Sequence, residues 1–227
     1  MRHAPVMIFA AGFGTRMGAL TADRPKPLIP VAGKALIDHA LDTARGASDG
    51  PIVVNTHYKA GMMAAHLAPQ NVTVSPEQPE ILDTGGGLRK ALPLLGDGPV
   101  MTLNSDAIFT GPNPLAALAA AWDPDIMDAI LLCVPPERAV GRVGGGDFAI
   151  TAGRLSRGGP LVYCGAQILN PALLGEIPET VFSLNLLWDR MIARGRLHGL
   201  IHTGQWCDVG RPEGITLAEE TLAAADV

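Results

Sequence analysis

The sequence predicts an α/β fold, with a mostly parallel mixed sheet covered by helices on both faces and a single domain over 1–227. Three observations lead there. Short apolar runs alternate with helical stretches over the first 134 residues, the pattern of repeated strand–helix–strand units. The chain has 227 residues, 48% of them hydrophobic, which is enough for a substantial core. No apolar run approaches the roughly 20 residues that span a bilayer, and many alanines and 27 glycines keep the apolar stretches slight.

The elements follow in order. Residues 6–9 read as a buried strand that halts at a glycine loop. Leu36, Ile37, Ala40 and Leu41 recur at helical spacing within 34–44. "PIVVN" (51–55) reads as a strand, "YKAGMMAAHL" (58–67) as a helix and "NVTVS" (71–75) as a strand. A helix is expected over 84–92, then the strand "PVMTLN" (99–104), an alanine-rich helix over 114–121 and the strand "AILLCV" (129–134). Segment 135–160 is rich in glycine and poor in large apolar residues, and reads as a lid, a small hairpin or a surface insertion. "LVYCGAQIL" resumes strand character, "SLNLLWDRMIARG" is amphipathic, "LHGLIH" is strand-like, and a closing helix is expected after Pro212. In such a sheet the ligand site lies beyond the carboxyl ends of the strands, where the loops after Phe9 and Leu103 fall.

Composition narrows the function. A formal net charge of −5, from 17 basic and 22 acidic residues, argues against a nucleic-acid polymer as partner, which needs a broad basic surface. Cys133, Cys164 and Cys207 are odd in number and widely spaced, so neither a disulfide framework nor a zinc cluster is expected. The opening "MRHAPVMIFAAGFG" is too short in its apolar run for a signal peptide. A cytoplasmic protein without a membrane partner is the expectation.

The polar features concentrate at the first loop. Gly12, Gly14 and Gly18 permit backbone conformations that turn amides toward phosphate oxygens, Arg16 offers a fork of donors, and Lys26 is stiffened by Pro25 and Pro27. The loop lacks the Gly-Lys-Ser/Thr ending of a P-loop and does not enter a helix at once, as a dinucleotide fingerprint does. An ordinary tight loop accounts for the glycines alone; with Arg16 and Pro-Lys-Pro added, phosphate binding is the better reading. Arg24 and Lys34 read as solvent-facing charges.

"FAAGFGTRMGALTADRPKPLIPVAGKALI" (9–37), "DTGGGLRKALPLLG" (83–96), "MTLNSDAIF" (101–109) and "WCDVGRPEGI" (206–215) together resemble the sugar-1-phosphate nucleotidylyltransferases, in the right order and over most of the chain. The compact length and glycine triplet are most similar to the subgroup that uridylylates N-acetylmuramic acid 1-phosphate. The resemblance implies a Rossmann-like, GT-A-like nucleotidyltransferase core with a small sugar-side extension. It implies UTP and a sugar 1-phosphate as substrates, Mg²⁺ as cofactor, and a place in peptidoglycan recycling for the cell wall. It assigns Ala11, Gly12, Gly14, Thr15, Arg16 and Lys26 to the nucleotide, with Arg16 on its phosphates and Lys26 at the reacting phosphate.

Asp106 and Asp208, far apart in sequence, each read alone as a cap, a turn or a surface residue. The resemblance assigns both to Mg²⁺, which accepts one or two carboxylates together with phosphate oxygens and waters. "DTGGG" offers Asp83, Gly85 and Gly86 to a planar base, although Asp83 or Thr84 equally suits a helix cap; the resembling family commonly has glutamate where this chain has Asp83. Glu77 and Glu80 are weaker candidates. Asn104, Asp147 and Gly165 are expected on the sugar side, with Asp147 also readable as an exposed turn. Asn104 and Ser105 depart from the common Gly-Asp ending of their strand. No lysine follows Lys90, so Arg142, Arg154 and Arg157 are the cations available where larger relatives use a downstream lysine. A guanylyl- or thymidylyltransferase and a noncatalytic nucleotide sensor are the alternatives.

Overall fold

The first strand sets the layering. In β1 (Val6–Phe9), Val6 and Ile8 face one hydrophobic cluster while Met7 faces another, the period-2 alternation of a strand buried on both sides. The computed structural model describes residues 1–225. A small hairpin follows, β2 (Pro30–Val31) with β3 (Lys34–Ala35), and leads into α1 (Leu36–Ala47). Then come β4 (Ile52–Thr56), α2 (Ala60–Leu67), β5 (Thr73–Pro76), α3 (Asp83–Leu95), β6 (Val100–Asn104), β7 (Ala107–Phe109), α4 (Pro114–Ala121) and β8 (Ala129–Val134). The second half holds β9 (Ala139–Val140), β10 (Phe148–Thr151), β11 (Arg154–Arg157), β12 (Val162–Leu169), α5 (Leu184–Ala193), β13 (Leu197–Ile201), β14 (Trp206–Asp208) and α6 (Glu213–Ala225).

Nine strands form one sheet in the order β10-β11-β13-β8-β12-β6-β1-β4-β5. Its parallel character lies in β6-β1-β4-β5 and in the β8–β13 pair. β12 runs antiparallel between β6 and β8. This is the Rossmann-like nucleotidyltransferase core with a mixed sheet. Segment 135–160 contains the hairpin β10–β11, and β11 joins the sheet through β13.

Helices α1, α2 and α4 bury Ile37, Leu41, Met63, Leu67, Leu115 and Leu118 on one face of the sheet. Helices α3 and α5 bury Leu88, Leu95, Leu187, Trp188 and Met191 on the other. Each such side chain contributes about 1.5–3 kcal/mol on burial, so two opposed clusters hold the strand ends in fixed register. A third cluster packs α6 through Ala218 against Met17, Ile29, Cys207 and Val209. The three cysteines are free and buried; burial pushes the Cys133 and Cys207 thiols up to about 12 and raises Cys164. Among the described residues no helix is long and apolar enough to cross a membrane.

Candidate active site

The register of two ladders builds the site. β1 and β6 pair in parallel with Phe9 opposite Asn104, so the glycine loop and the residues after Asn104 leave the sheet side by side. Ser105 N–H donates to Phe9 O at 3.2 Å, joining the two loops at their roots. β7 and β14, in a three-stranded second sheet with β9, pair antiparallel with Ala107 opposite Asp208. Val209 N–H continues that ladder to Asp106 O at 3.1 Å. Two carboxylates distant in sequence therefore meet because one short antiparallel pair carries both.

Lys26 closes the group. It stands in a single 3-10 turn behind Pro25, and its Nζ donates to Asp106 Oδ2 at 2.6 Å with the lysine side chain 11% exposed. Gly14 makes room for it. A Cβ there would lie 2.8 Å from Lys26 Cβ, and Gly14 has φ of +64°, a conformation that larger residues rarely adopt. Arg16 follows without a hydrogen bond or ion pair among the described residues, so its guanidinium keeps its donors for a ligand.

Electrostatics tie these groups together. Burial raises the Asp208 pKa above the usual carboxylate value, and the charge of Asp106 adds to the rise. Lys26, Arg16 and Arg142 pull it back down. Two carboxylates that repel each other beside an open cavity are a donor set suited to a hard divalent cation, whose remaining positions phosphate oxygens and waters can fill. Among the described residues no cluster of three or more His, Cys, Asp or Glu side chains offers an all-protein cage. The residues present fit a cation shared with a phosphate ligand.

Two cavities of about 320 Å³ and 340 Å³ open on this group. Ala11, Gly12, Gly14, Thr15, Arg16 and Lys26 line the first. Arg142, Asp147, Tyr163, Trp188 and Asp208 line the second. Phe9, Arg16, Asp83, Thr84, Asn104 and Asp106 line both, so they form the boundary.

Some expected site residues lie elsewhere. Gly85 and Gly86 do not border either cavity. Their amides donate to Phe182 O at 2.9 and 3.1 Å, and a Cβ on them would meet the Phe182 ring at 2.3 Å and Thr180 O at 2.4 Å. Gly85 and Gly86 thus let the chain at 180–182 pack onto α3, Gly87 makes room for the Glu77 carboxylate, and Ile81, Asp83 and Thr84 form the cavity wall instead. Asp83 has a positive φ and accepts from Thr84 N–H at 2.6 Å, a local turn contact. Gly165 lies beneath Asn104, where a Cβ would come 2.7 Å from Asn104 Nδ2, and it borders neither cavity. Asp147 does line the second cavity, but its two oxygens accept from Arg142 Nη2 at 3.1 Å and Tyr163 N–H at 2.9 Å. Arg142 and Arg157 border that cavity and Arg154 does not.

Glu77, a weak candidate by sequence, is wholly buried at the wall of the first cavity. Asn55 Nδ2 donates to its Oε1 at 2.7 Å and Leu82 N–H to its Oε2 at 2.7 Å, while Ala10 N–H donates to Asn55 Oδ1 at 2.7 Å. This chain of bonds fixes the root of the glycine loop to the turn before α3. Glu77→Ala strands two donors, one buried and one partly buried, at a cost of about 2 kcal/mol. For a chain of this length the midpoint of thermal unfolding should fall by about 4–8 °C, as scanning calorimetry would show. A shift under 1 °C would mean that the bonds contribute nothing net.

The family model for the MobA-like NTP transferase domain matches residues 6–198. An N-acetylmuramate alpha-1-phosphate uridylyltransferase of Caulobacter vibrioides is 43% identical over 99% of this chain and 100% of the relative. One of Neisseria meningitidis serogroup B is 33% identical over 90% of this chain and 92% of the relative. A solved UDP-glucose pyrophosphorylase in complex with UDP-glucose superposes with a TM-score of 0.76 at 18% identity, covering 97% of this chain and 98% of the other, a likeness of fold.

Proposed function

The chain belongs to the MobA-like NTP transferase family and is a sugar-1-phosphate nucleotidylyltransferase, and from that premise we propose that it transfers the uridylyl group of UTP to N-acetyl-α-muramic acid 1-phosphate. The products are UDP-N-acetylmuramate and pyrophosphate. The observation that carries the reading is the boundary between the cavities, where Arg16 and Asp106 face both and Lys26 and Asp208 flank them. Such a boundary suits two phosphate compounds that must meet end to end.

An oxygen of the sugar phosphate attacks the α phosphorus of UTP, and the bond to the β phosphate breaks. The nucleophile is already anionic near neutral pH, so positioning and charge neutralisation are the main demands. Amides of the glycine loop cradle the triphosphate, and the unpaired Arg16 guanidinium balances charge on the departing pyrophosphate. Lys26, held by Asp106, presents a fixed positive charge where the two phosphates approach. Asp106 and Asp208 are the residues that would hold Mg²⁺, which supplies Lewis-acid polarisation of the phosphate when bound. In this reading the enzyme works in the cytoplasm, in the recovery of cell-wall sugar.

The test pairs purified protein with UTP, GTP, dTTP, CTP or ATP, each against a panel of sugar 1-phosphates, with products identified by mass spectrometry. UDP-N-acetylmuramate should form fastest, should require Mg²⁺ and should stop on chelation. Preference for another nucleotide or another sugar would overturn the specificity and leave the family reaction in place.

A further inference from the structure

Transfer of a nucleotidyl group needs cations at the phosphates, but the second cavity carries one that lies in a different setting. Arg157, on β11, places its guanidinium 5.0 Å from the centre of the Phe148 ring and 5.6 Å from that of Trp188. Those rings are themselves held. Trp188 Nε1 donates to Gln167 Oε1 at 2.9 Å, and Tyr163 packs edge-on at 4.9 Å. Arg157 Nε donates to Asp189 Oδ1 at 2.8 Å, and its Nη2 donates to Asn185 O at 3.1 Å.

Two of the five N–H donors of a guanidinium are thereby used, and the other three are free in a side chain 38% exposed at the cavity wall. Ring stacking and the two bonds to α5 fix the plane of the group before any ligand arrives, so little entropy is lost when a planar anion binds to it. Arg142, the other arginine peculiar to this cavity, differs. It donates to Asp147, and its charge acts on Asp208, which puts it at the phosphate end. Sugar hydroxyls need no pinned cation; a carboxylate matches its fork.

Resting on the reading of the acceptor given above, we infer that Arg157 binds a carboxylate carried by the sugar and so discriminates between acceptors with and without one. In N-acetylmuramic acid 1-phosphate that group is the carboxylate of the lactyl ether, which N-acetylglucosamine 1-phosphate lacks.

The experiment measures kcat/KM with UTP for these two sugars, in the wild-type protein and in Arg157→Gln and Arg157→Lys. The ratio between the sugars cancels the concentration of active protein, so partial unfolding cannot imitate the effect. The ratio favouring the muramic acid compound should fall tenfold or more in Arg157→Gln and less in Arg157→Lys, which keeps the charge but loses the fork. An unchanged ratio in Arg157→Gln, in a protein whose wild type prefers the carboxylate-bearing sugar, would overturn the role of Arg157 alone and reduce it to a clamp between the hairpin and α5. A wild type that uses only the sugar without the carboxylate would overturn the proposed acceptor and this inference together.

Discussion

Asp106→Asn should lower kcat by about 10³-fold while leaving the thermal midpoint within about 3 °C of wild type. The replacement keeps the size and shape of the side chain, and its carbonyl oxygen can still accept from Lys26, so the local packing has no reason to change. What disappears is one negative charge at the boundary of the two cavities. That charge contributes little to folding, because the pair it forms with Lys26 is 29% exposed on the aspartate side and Asp106 also repels Asp208. For catalysis the proposal gives it two tasks, holding the cation and fixing Lys26. Steady-state pyrophosphate release at saturating UTP, beside calorimetry on the same protein, separates the effects. A kcat within threefold of wild type would remove Asp106 from the chemistry.

The contrast between what the sequence displays and what only folding reveals runs along physical lines. A wholly buried strand such as β8 stands out as an unbroken apolar run, and β4 does so through Ile52, Val53 and Val54. The pairs β2–β3 and β7–β14 rest on two or three residues each, too few for any periodicity. The antiparallel insertion of β12 is invisible for another reason: a buried strand has the same composition in either direction. β7–β14 is also the pair that unites Asp106 with Asp208, so their meeting was legible only through resemblance to a family. Glu77 stands only as a weak candidate in the sequence because carboxylates are seldom fully buried, and its partners come from β4, 22 residues earlier, and from the turn before α3. The glycine triplet shows the converse. Its need for close approach was legible at once, but the approaching groups are the chain at 180–182 and the Glu77 carboxylate, which no local pattern could specify.

Lys26→Ala should reduce kcat/KM by about 10³-fold, and it should also cost stability, which Asp106→Asn does not. Lys26 offsets the charge on Asp208 together with Arg16 and Arg142, and it pairs directly with Asp106. Without it two carboxylates face each other in a partly buried wall, at a cost of about 1–2 kcal/mol, or about 2–8 °C in thermal midpoint. Arginine is no substitute, since its planar fork does not reproduce the compact ammonium that donates to Asp106 Oδ2 at 2.6 Å. The double variant Lys26→Ala/Asp106→Asn tests the coupling. Removing one of the two opposed carboxylate charges should restore most of the lost midpoint, while activity should fall no further than in the worse single variant, because the pair acts as a unit. Additive losses in log(kcat/KM), or a midpoint that stays low in the double variant, would show that Lys26 and Asp106 work independently despite their contact.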